Sequence, residues 1–396
     1  MDIKKIPSQI LLVLFFICST TVSYADNYHT DNRRGKIKVM TQNLYVGADL
    51  MHVVTAGSPE QVPVAVAQTL AMIKQTNFIE RAESIADQIK EEKPDLIGLQ
   101  EVSLIRLQSP SDYFIGNPQN AQDVLYDYLD ILLAALERRD LHYTIVSTVN
   151  NADVEVPAVT GLDANGAPQF IDVRLSDRDV ILARKGIKTS NPASANYQVN
   201  LLLPIAGGTI PFTRGYTAVD AKVQGITYRV VNTHLEVKGE GIVTAVQAMQ
   251  AQELIGLLEN ETHPVVLLGD FNSSPADPID PVSGIVPPYK QLGWAGYLDA
   301  WLQIDGGDEA DKPGYTCCQA EDLKNALSQM NERIDYIFYR SDTTALAHKT
   351  DITMDILGEE VKDKSPSGLW PSDHAGLYAE LKFAVQKHKG KVHNKD

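Results

Sequence analysis

Val265-Val266-Leu267-Leu268-Gly269-Asp270-Phe271-Asn272 sets an unbroken apolar run directly against a polar cluster. Four consecutive aliphatic residues without polar alternation read as a strand buried on both faces, at the centre of a covered sheet. The polar residues that follow then fall at the sheet rim, where each costs desolvation unless it is paired or used. The same arrangement recurs along the chain. Ile37–Met40 runs into Thr41-Gln42-Asn43, Leu96–Leu99 into Gln100-Glu101, and Tyr228–Val231 into Asn232-Thr233-His234. Arg333-Ile334-Asp335-Tyr336 opens a strand, and Ser372-Asp373-His374 precedes the last one. Six such clusters on one rim would converge on a single crevice.

The crevice would hold Asn43, Glu101, His234, Asp270, Asn272, Asp335, Asp373 and His374. Carboxylate and amide oxygens are hard ligands that suit Mg²⁺, with Mn²⁺ or Ca²⁺ as alternatives. The set has no Cys and no HxxxH helix, which argues against zinc. Two histidines among carboxylates suit proton transfer and the stabilisation of a charged phosphorane. No Walker A motif and no GxSxG elbow is present. Alone, GDFN reads equally as a capped turn and SDH as a helix N-cap; the ordered set carries the argument.

Between the clusters, helices are expected over 61–76 and 78–92, the second with Ala82, Ile85, Ala86 and Ile89 on one stripe. Residues 106–120 read as a loop and about 121–138 as a helix. Short strands are expected at Tyr143–Val146, Val180–Ala183 and Thr217–Val223. The Gly/Ala/Asn/Pro-rich stretch 150–170 reads as a hairpin or surface loop. A helix over about 242–258, loops over 273–293 and 304–316, and strands at Ile334–Arg340 and Leu377–Lys382 complete the chain. There is no repeat at a solenoid period and no clear linker, so one α/β domain over 36–383 is expected.

Composition narrows the class. The 396 residues are 44% hydrophobic and 22% charged, which excludes general disorder and a collagen-like chain. The net charge of −16 argues against a polyanion-coating protein, yet allows action on a phosphate ester whose charge is neutralised locally. Residues 1–25 read as a secretory signal: Lys4 and Lys5, the apolar run Ile10–Cys18, then Ser23-Tyr24-Ala25. The run is far short of the roughly 20 residues that span a bilayer, so no stable membrane anchor is expected. Cleavage near Ala25-Asp26 removes a segment of net +1, giving a mature chain at −17, secreted or periplasmic. Residues 26–35 read as a loose lead-in and 384–396 as a basic, solvated tail. Cleavage also removes Cys18 and leaves the adjacent Cys317 and Cys318, either as a vicinal disulfide or as two thiols. No His or Cys stands at zinc spacing from that pair, which argues against a metal site built from it alone.

The ordered set TQNL (41–44), LQEV (99–102), NTHLE (232–236), GDFN (269–272), RIDYIF (333–338) and SDHAG (372–376) resembles the endonuclease/exonuclease/phosphatase superfamily. That superfamily includes DNase I-like nucleases, abasic-site endonucleases, inositol polyphosphate 5-phosphatases and sphingomyelinase-type phospholipases. The resemblance covers about 36–383. It implies a four-layer αββα sandwich, two β-sheets back to back with helices outside and the site at one end. It also implies metal-assisted, in-line attack of water on a phosphoester.

Residue by residue, the resemblance makes Glu101 the main metal carboxylate, Asn43 a ligand or orienting group, and Asp373 a metal-linked carboxylate. His374 would contact the scissile phosphate and Asp335 would orient it. Asp270 would handle the proton of the water or leaving group. Asn272, His234 and, by a looser match, Arg214 in FTRGY would bind phosphate. The partner of His234 is left between Glu236 and Asp179. Ser176-Asp177-Arg178-Asp179 reads as a charged turn beside the crevice. Segments 104–120, 150–172 and 276–316 read as insertions, the third walling the crevice.

A nuclease is the first expectation. A sphingomyelinase-like lipid phosphodiesterase fits export and Tyr45 after TQNL, but the sequence shows no clear exposed apolar hairpin. A phosphatase for inositol or sugar phosphates is the third. A non-catalytic binding module is the last, because every catalytic residue type is present. The expected partner is a phosphate-ester substrate, a nucleic acid or a phospholipid headgroup; no protein partner is evident.

Overall fold

The computed structural model describes residues 34–117, 119–205, 208–307, 313–341 and 351–384. The segment expected as a secretory signal, nearly all of the lead-in and nearly all of the basic tail lie outside the described residues. The chain builds one sheet, then a second, then returns. The first sheet takes β1 (Arg34–Asn43), β2 (Leu96–Gln100), β3 (Leu104–Gln108), β4 (Asp123–Asp127), β5 (Tyr143–Leu162) and β6 (Pro168–Arg184). The second takes β7 (Lys188–Asn196) and, beyond the hairpin of β8 (Leu201–Ile205) and β9 (Gly208–Phe212), β10 (Gly215–Val223), β11 (Ile226–His234), β12 (Val265–Asp270), β13 (Leu298–Asp299) and β14 (Asp335–Arg340). β15 (Ile352–Leu357) and β16 (Gly376–Ala384) close the first sheet, in the order β15-β16-β1-β2-β6-β3-β4, with β5 paired to β6.

Alternation along the strands makes the layers. Ile37, Val39, Leu96, Ile181, Val230, Val266, Leu268 and Ile337 meet between the sheets. Their neighbours point the other way. Met40, Ile97 and Leu182 pack under α2 (Val62–Gln75), α3 (Phe78–Glu92) and α4 (Tyr128–Glu137), and Val231, Leu267 and Phe338 pack under α5 (Ile242–Leu257). The central strands read as continuous apolar runs because each of their faces meets a different core. The four-layer αββα sandwich expected from the sequence is the observed architecture.

Several local readings are corrected. The helix expected from about 121 starts at Tyr128, because residues 123–127 pair with β3; Asp127 caps it by accepting from the amides of Leu129 and Asp130. Part of the loop expected over 106–120 is strand β3. The stretch 150–170 is the end of a long hairpin, β5 against β6. Ser176–Asp179 is no turn but the middle of β6, paired with both β3 and β5. Residues 288–294, expected as loop, form a short helix. Leu162 near the β5–β6 turn and Leu202 in β8 stand 68% and 69% exposed, as single apolar residues on two different hairpins.

The sheets approach most closely at Gly98. A Cβ there would stand 2.6 Å from Asn232 Oδ1 and 3.1 Å from Leu268 Cβ. Asn232 cannot swing aside, since its amide donates to the Leu99 carbonyl at 3.0 Å and its oxygen accepts from Gln100 Nε2 at 2.5 Å. Gly98→Ala is therefore expected to cost about 1–3 kcal/mol by overpacking. An unchanged denaturation midpoint in guanidinium would contradict this account of the interface.

Candidate active site

Strand register builds the site's first row. β11 and β12 run parallel with His234 opposite Asp270, and β14 runs antiparallel to β12 with Asp335 opposite Asp270. In the facing sheet, Asn43 and Gln100 end β1 and β2 side by side. The chain leaves these strand ends by unusual backbone. Tyr45, Glu101 and Asn272 hold left-handed φ values of 56°, 54° and 49°, each a local cost of order 1 kcal/mol or more that surrounding contacts must offset. Gly269 has φ 149°, and a Cβ there would lie 2.0 Å from the Thr233 carbonyl oxygen, so GDFN requires its glycine.

The segments after β1 and before β16 are locked together from behind. Arg81, fully buried on α3, donates to the carbonyls of Thr76, Leu44, Tyr45 and Pro371. Ser372 Oγ donates to the Asn43 carbonyl at 2.7 Å, and Gln42 Nε2 donates to the His374 carbonyl at 3.3 Å.

The polar side chains in front form one connected set. His374 Nδ1 lies 2.8 Å from Asp335 Oδ2 and 3.8 Å from Asp270 Oδ2. Asp270 Oδ1 accepts from the Asn272 amide at 2.9 Å, and Oδ2 accepts from Asn43 Nδ2 at 3.2 Å. His234 Nδ1 accepts from Arg214 Nη1 at 2.9 Å, which leaves Nε2 protonated, 3.5 Å from Asp270 Oδ2 and 3.1 Å from the side-chain Nδ2 of Asn272, which donates to the Leu235 carbonyl at 3.1 Å. Asn43 Nδ2 also donates to Glu101 Oε1 at 3.1 Å, while Glu101 Oε2 accepts from the Val46 amide at 2.8 Å. Asp373 Oδ1 lies 4.0 Å from His374 Nε2.

All nine residues singled out in the sequence meet here, with two refinements. The partner of His234 is Arg214, neither Glu236 nor Asp179; Glu236 and Asp177 flank the arginine instead, at 3.9 and 4.0 Å. The Asn43 side-chain oxygen is occupied by the Tyr45 amide at 2.9 Å and its nitrogen faces two carboxylates, which suits an orienting group better than a metal ligand. The sequence reading missed Arg81 and Thr316, whose Oγ1 accepts the amide of Asp335 at 3.1 Å. Arg81 did leave a signal: it lies three residues after Phe78 and four before Ile85, on the helix's apolar stripe. Thr316 left none.

The two histidines are pushed in opposite directions. Burial disfavours the His374 cation, but Asp335, Asp373 and Asp270 outweigh it and hold its pKa well above the ordinary value. Burial, Arg214 and His374 all push His234 well below it. Enclosure and then Asp335 push the Asp270 carboxyl up to about 7, against His374. Enclosure pushes Asp373 up to about 6, with His374 opposing and Glu101 adding. Carboxylates raised in this way want a cation. Asp335 Oδ1 is buried without a hydrogen-bond partner, and among the described residues Glu101 has no Lys or Arg at ion-pair distance. This oxygen-rich donor set fits a hard divalent ion.

The family model described as "Endonuclease/Exonuclease/phosphatase family" matches residues 40–374. The chain belongs to the endonuclease/exonuclease/phosphatase family. It is a metal-dependent phosphoester hydrolase of that family. Nocturnin of Drosophila melanogaster is 27% identical over 183 residues, covering 42% of this chain and 27% of that protein, so the match spans about a quarter of that relative's length. Solved structures similar in fold include family proteins from Leptotrichia buccalis (16% identity, 88% of this chain and 100% of that one, TM-score 0.48) and Beutenbergia cavernae (19%, 89% and 72%, 0.47). Truncated TDP2 of Caenorhabditis elegans is another (16%, 87% and 97%, 0.45). Among the described residues no helix is long and apolar enough to cross a membrane.

The raised carboxyls have a pH consequence. Their ordinary value is 3.8, so folding favours their protonated forms; the stability they contribute is complete below that value and lost as pH rises through about 6 and 7. A divalent cation replaces those protons. The rise in Tm on adding Mg²⁺ to chelator-treated protein should be small near about pH 5 and grow to several degrees near about pH 8. The lowered pKa of His234 acts equally with and without metal and cancels in the difference. An equal increment at both pH values would contradict the placement of the cation among these groups.

Proposed function

We propose that this protein is an exported, Mg²⁺-dependent phosphodiesterase that acts on nucleic acid. The observation that carries the reading is the pair of histidines on either side of Asp270, at 3.5 and 3.8 Å, His234 backed by Arg214 and His374 by Asp335. In-line attack needs a proton acceptor poised near neutrality, which Asp270 supplies at about 7, and a cation for the charge that develops, which His374 supplies. Asp335 keeps that cation oriented through Nδ1. His234 Nε2–H and the Asn272 amide are placed to donate to a phosphate oxygen. Mg²⁺ held by Glu101 and Asp373 would add positive charge at the non-bridging and leaving oxygens. No covalent enzyme intermediate is required.

Charge balance favours a diester. Arg214, already flanked by Asp177 and Glu236, is largely neutralised and offers little to the second charge of a monoester. For nucleic acid, Tyr315 stands 41% exposed immediately before Thr316, beside the catalytic segments, where a base can stack. A second reading has its own support. A groove of about 310 Å³ lined by Tyr113, Phe114, Val154, Val156, Ile205 and Ile210 runs under the β8–β9 hairpin and offers apolar surface to a lipid phosphodiester.

His374→Ala and Asp270→Asn should each lower turnover about 10²–10⁴-fold, the first with Mg²⁺ affinity largely kept. Glu101→Ala should lose activity by raising the Mg²⁺ requirement. The deciding assay compares DNA, RNA, sphingomyelin and inositol phosphates, with Mg²⁺ and with EDTA. Full activity of His374→Ala, or turnover indifferent to EDTA, would sink the mechanism; preference for sphingomyelin would transfer the assignment to the lipid reading.

A further inference from the structure

Thr316-Cys317-Cys318-Gln319 crosses the face of the crevice and is stitched to both catalytic segments. The Ala375 amide donates to the Thr316 carbonyl at 2.8 Å and the Gln319 amide donates to the Asp373 carbonyl at 2.9 Å, so the cysteine pair spans His374. Cys317 faces His374 in an antiparallel bridge. On the other side the Cys317 amide donates to the Glu332 carbonyl at 3.0 Å, and Thr316 Oγ1 receives the amide of Asp335. These contacts bring the sulfurs of Cys317 and Cys318 and a ring nitrogen of His374 within 4.8 Å of one another. Cys317 is buried and Cys318 exposed, so the cluster opens to solvent on one side. The structure joins the two sulfurs as a disulfide.

Sequence spacing argued against a metal site at this pair because no third ligand stands nearby; the fold supplies one from β16's approach. We propose that the reduced Cys317–Cys318 pair and His374 form a site for a thiophilic cation such as Zn²⁺ or Cd²⁺, and that its occupation switches the hydrolase off. Two thiolates and an imidazole are soft to borderline donors, whereas Glu101 and Asp373 offer hard oxygen, so Mg²⁺ and a thiophilic ion sort to different ligands. Tetrahedral zinc with bonds of about 2.0–2.3 Å places ligand atoms roughly 3.5 Å apart, so the two sulfurs, joined in the structure, must separate on reduction while the His374 ring nitrogen is already within reach of both. Opening the site requires reduction of the disulfide by a thiol or phosphine reductant. With a thiol reductant, one S–S bond breaks, and two electrons and two protons pass from two reductant thiols, which leave joined as their own disulfide. Metal binding then displaces the protons that the ligand atoms carry. A His374 ring nitrogen bound in this way is no longer free to contact the phosphate.

The test titrates Cd²⁺ into the full chain, reduced with a water-soluble phosphine, in excess Mg²⁺. The ultraviolet cadmium–thiolate band is read alongside turnover of a chromogenic phosphodiester. The band should saturate at one Cd²⁺ per chain while turnover falls at least tenfold, and more Mg²⁺ should not restore it. Oxidation with diamide beforehand should remove both effects. In C318S, normalised to its own uninhibited rate, both should weaken at least tenfold, and in H374A the band should need at least tenfold more Cd²⁺. The band requires no substrate, so it decides the site independently of the nucleic-acid reading. Absence of the band in the reduced protein, unchanged Cd²⁺ affinity in H374A, or undiminished inhibition in C318S would each overturn the proposal.

Discussion

Asp270 lies opposite His234 on one side and opposite Asp335 on the other, and the chemistry of the site depends on that register. Side chains alternate between faces along a strand, so a slip of one residue in β12 would turn Asp270 away from both partners. The register is held by hydrophobic burial far from the chemistry. Val266 and Leu268 face the intersheet core, while Val265 and Leu267 face the core under α5. The positions of the carboxylates at the rim therefore follow from apolar packing below them. Gly269 ends the run where the Thr233 carbonyl leaves no room for a side chain, and that close approach brings the His234 strand and the Asp270 strand level.

Crowding like charges in this way is unfavourable, and the rest of the site answers it. Asp270, Asp335 and Asp373 share His374, which they hold protonated. Arg214, enclosed by Asp177 and Glu236, faces the other histidine and keeps it neutral. The outcome is a division of labour between two identical side chain types: burial disfavours the cation at both, and the carboxylates around His374 outweigh it where Arg214 behind His234 adds to it. Arg81 performs a comparable service without touching the crevice. Its guanidinium donates to the Thr76 carbonyl after α2 and to the carbonyls of Leu44, Tyr45 and Pro371, in the two segments that carry Asn43 and Asp373, fixing their approach.

The layers and the rim were legible because both follow from patterns of hydrophobicity. Runs such as Val265–Leu268 and Leu96–Leu99 announce strands covered on both faces, and the polar residues ending them announce the crevice. What was not legible depends on tertiary pairing. Residues 123–127 carry no strong strand signal and become one because β3 offers an open edge. Ser176–Asp179 looks like a turn by composition, yet it is central strand, with Asn151 donating to one oxygen of Asp177 and one of Asp179 and Arg214 lying 4.0 Å from Asp177. The partner of His234 was missed for the same reason: an arginine 20 residues away in β10's approach is brought alongside only when β10 and β11 pair, with Gly215 opposite His234.

The acidic net charge takes on a different meaning once these pairings are known. Arg174 and Arg178, which from sequence alone look available to a polyanion, are each committed to an aspartate, Asp153 and Asp127 respectively. The cationic character that reaches the crevice is concentrated in His374 and in whatever metal the carboxylates hold. Tyr315, outside the six motifs, is exposed on the segment that also carries the cysteine pair against His374, so one stretch of chain both borders the crevice and reaches the catalytic histidine.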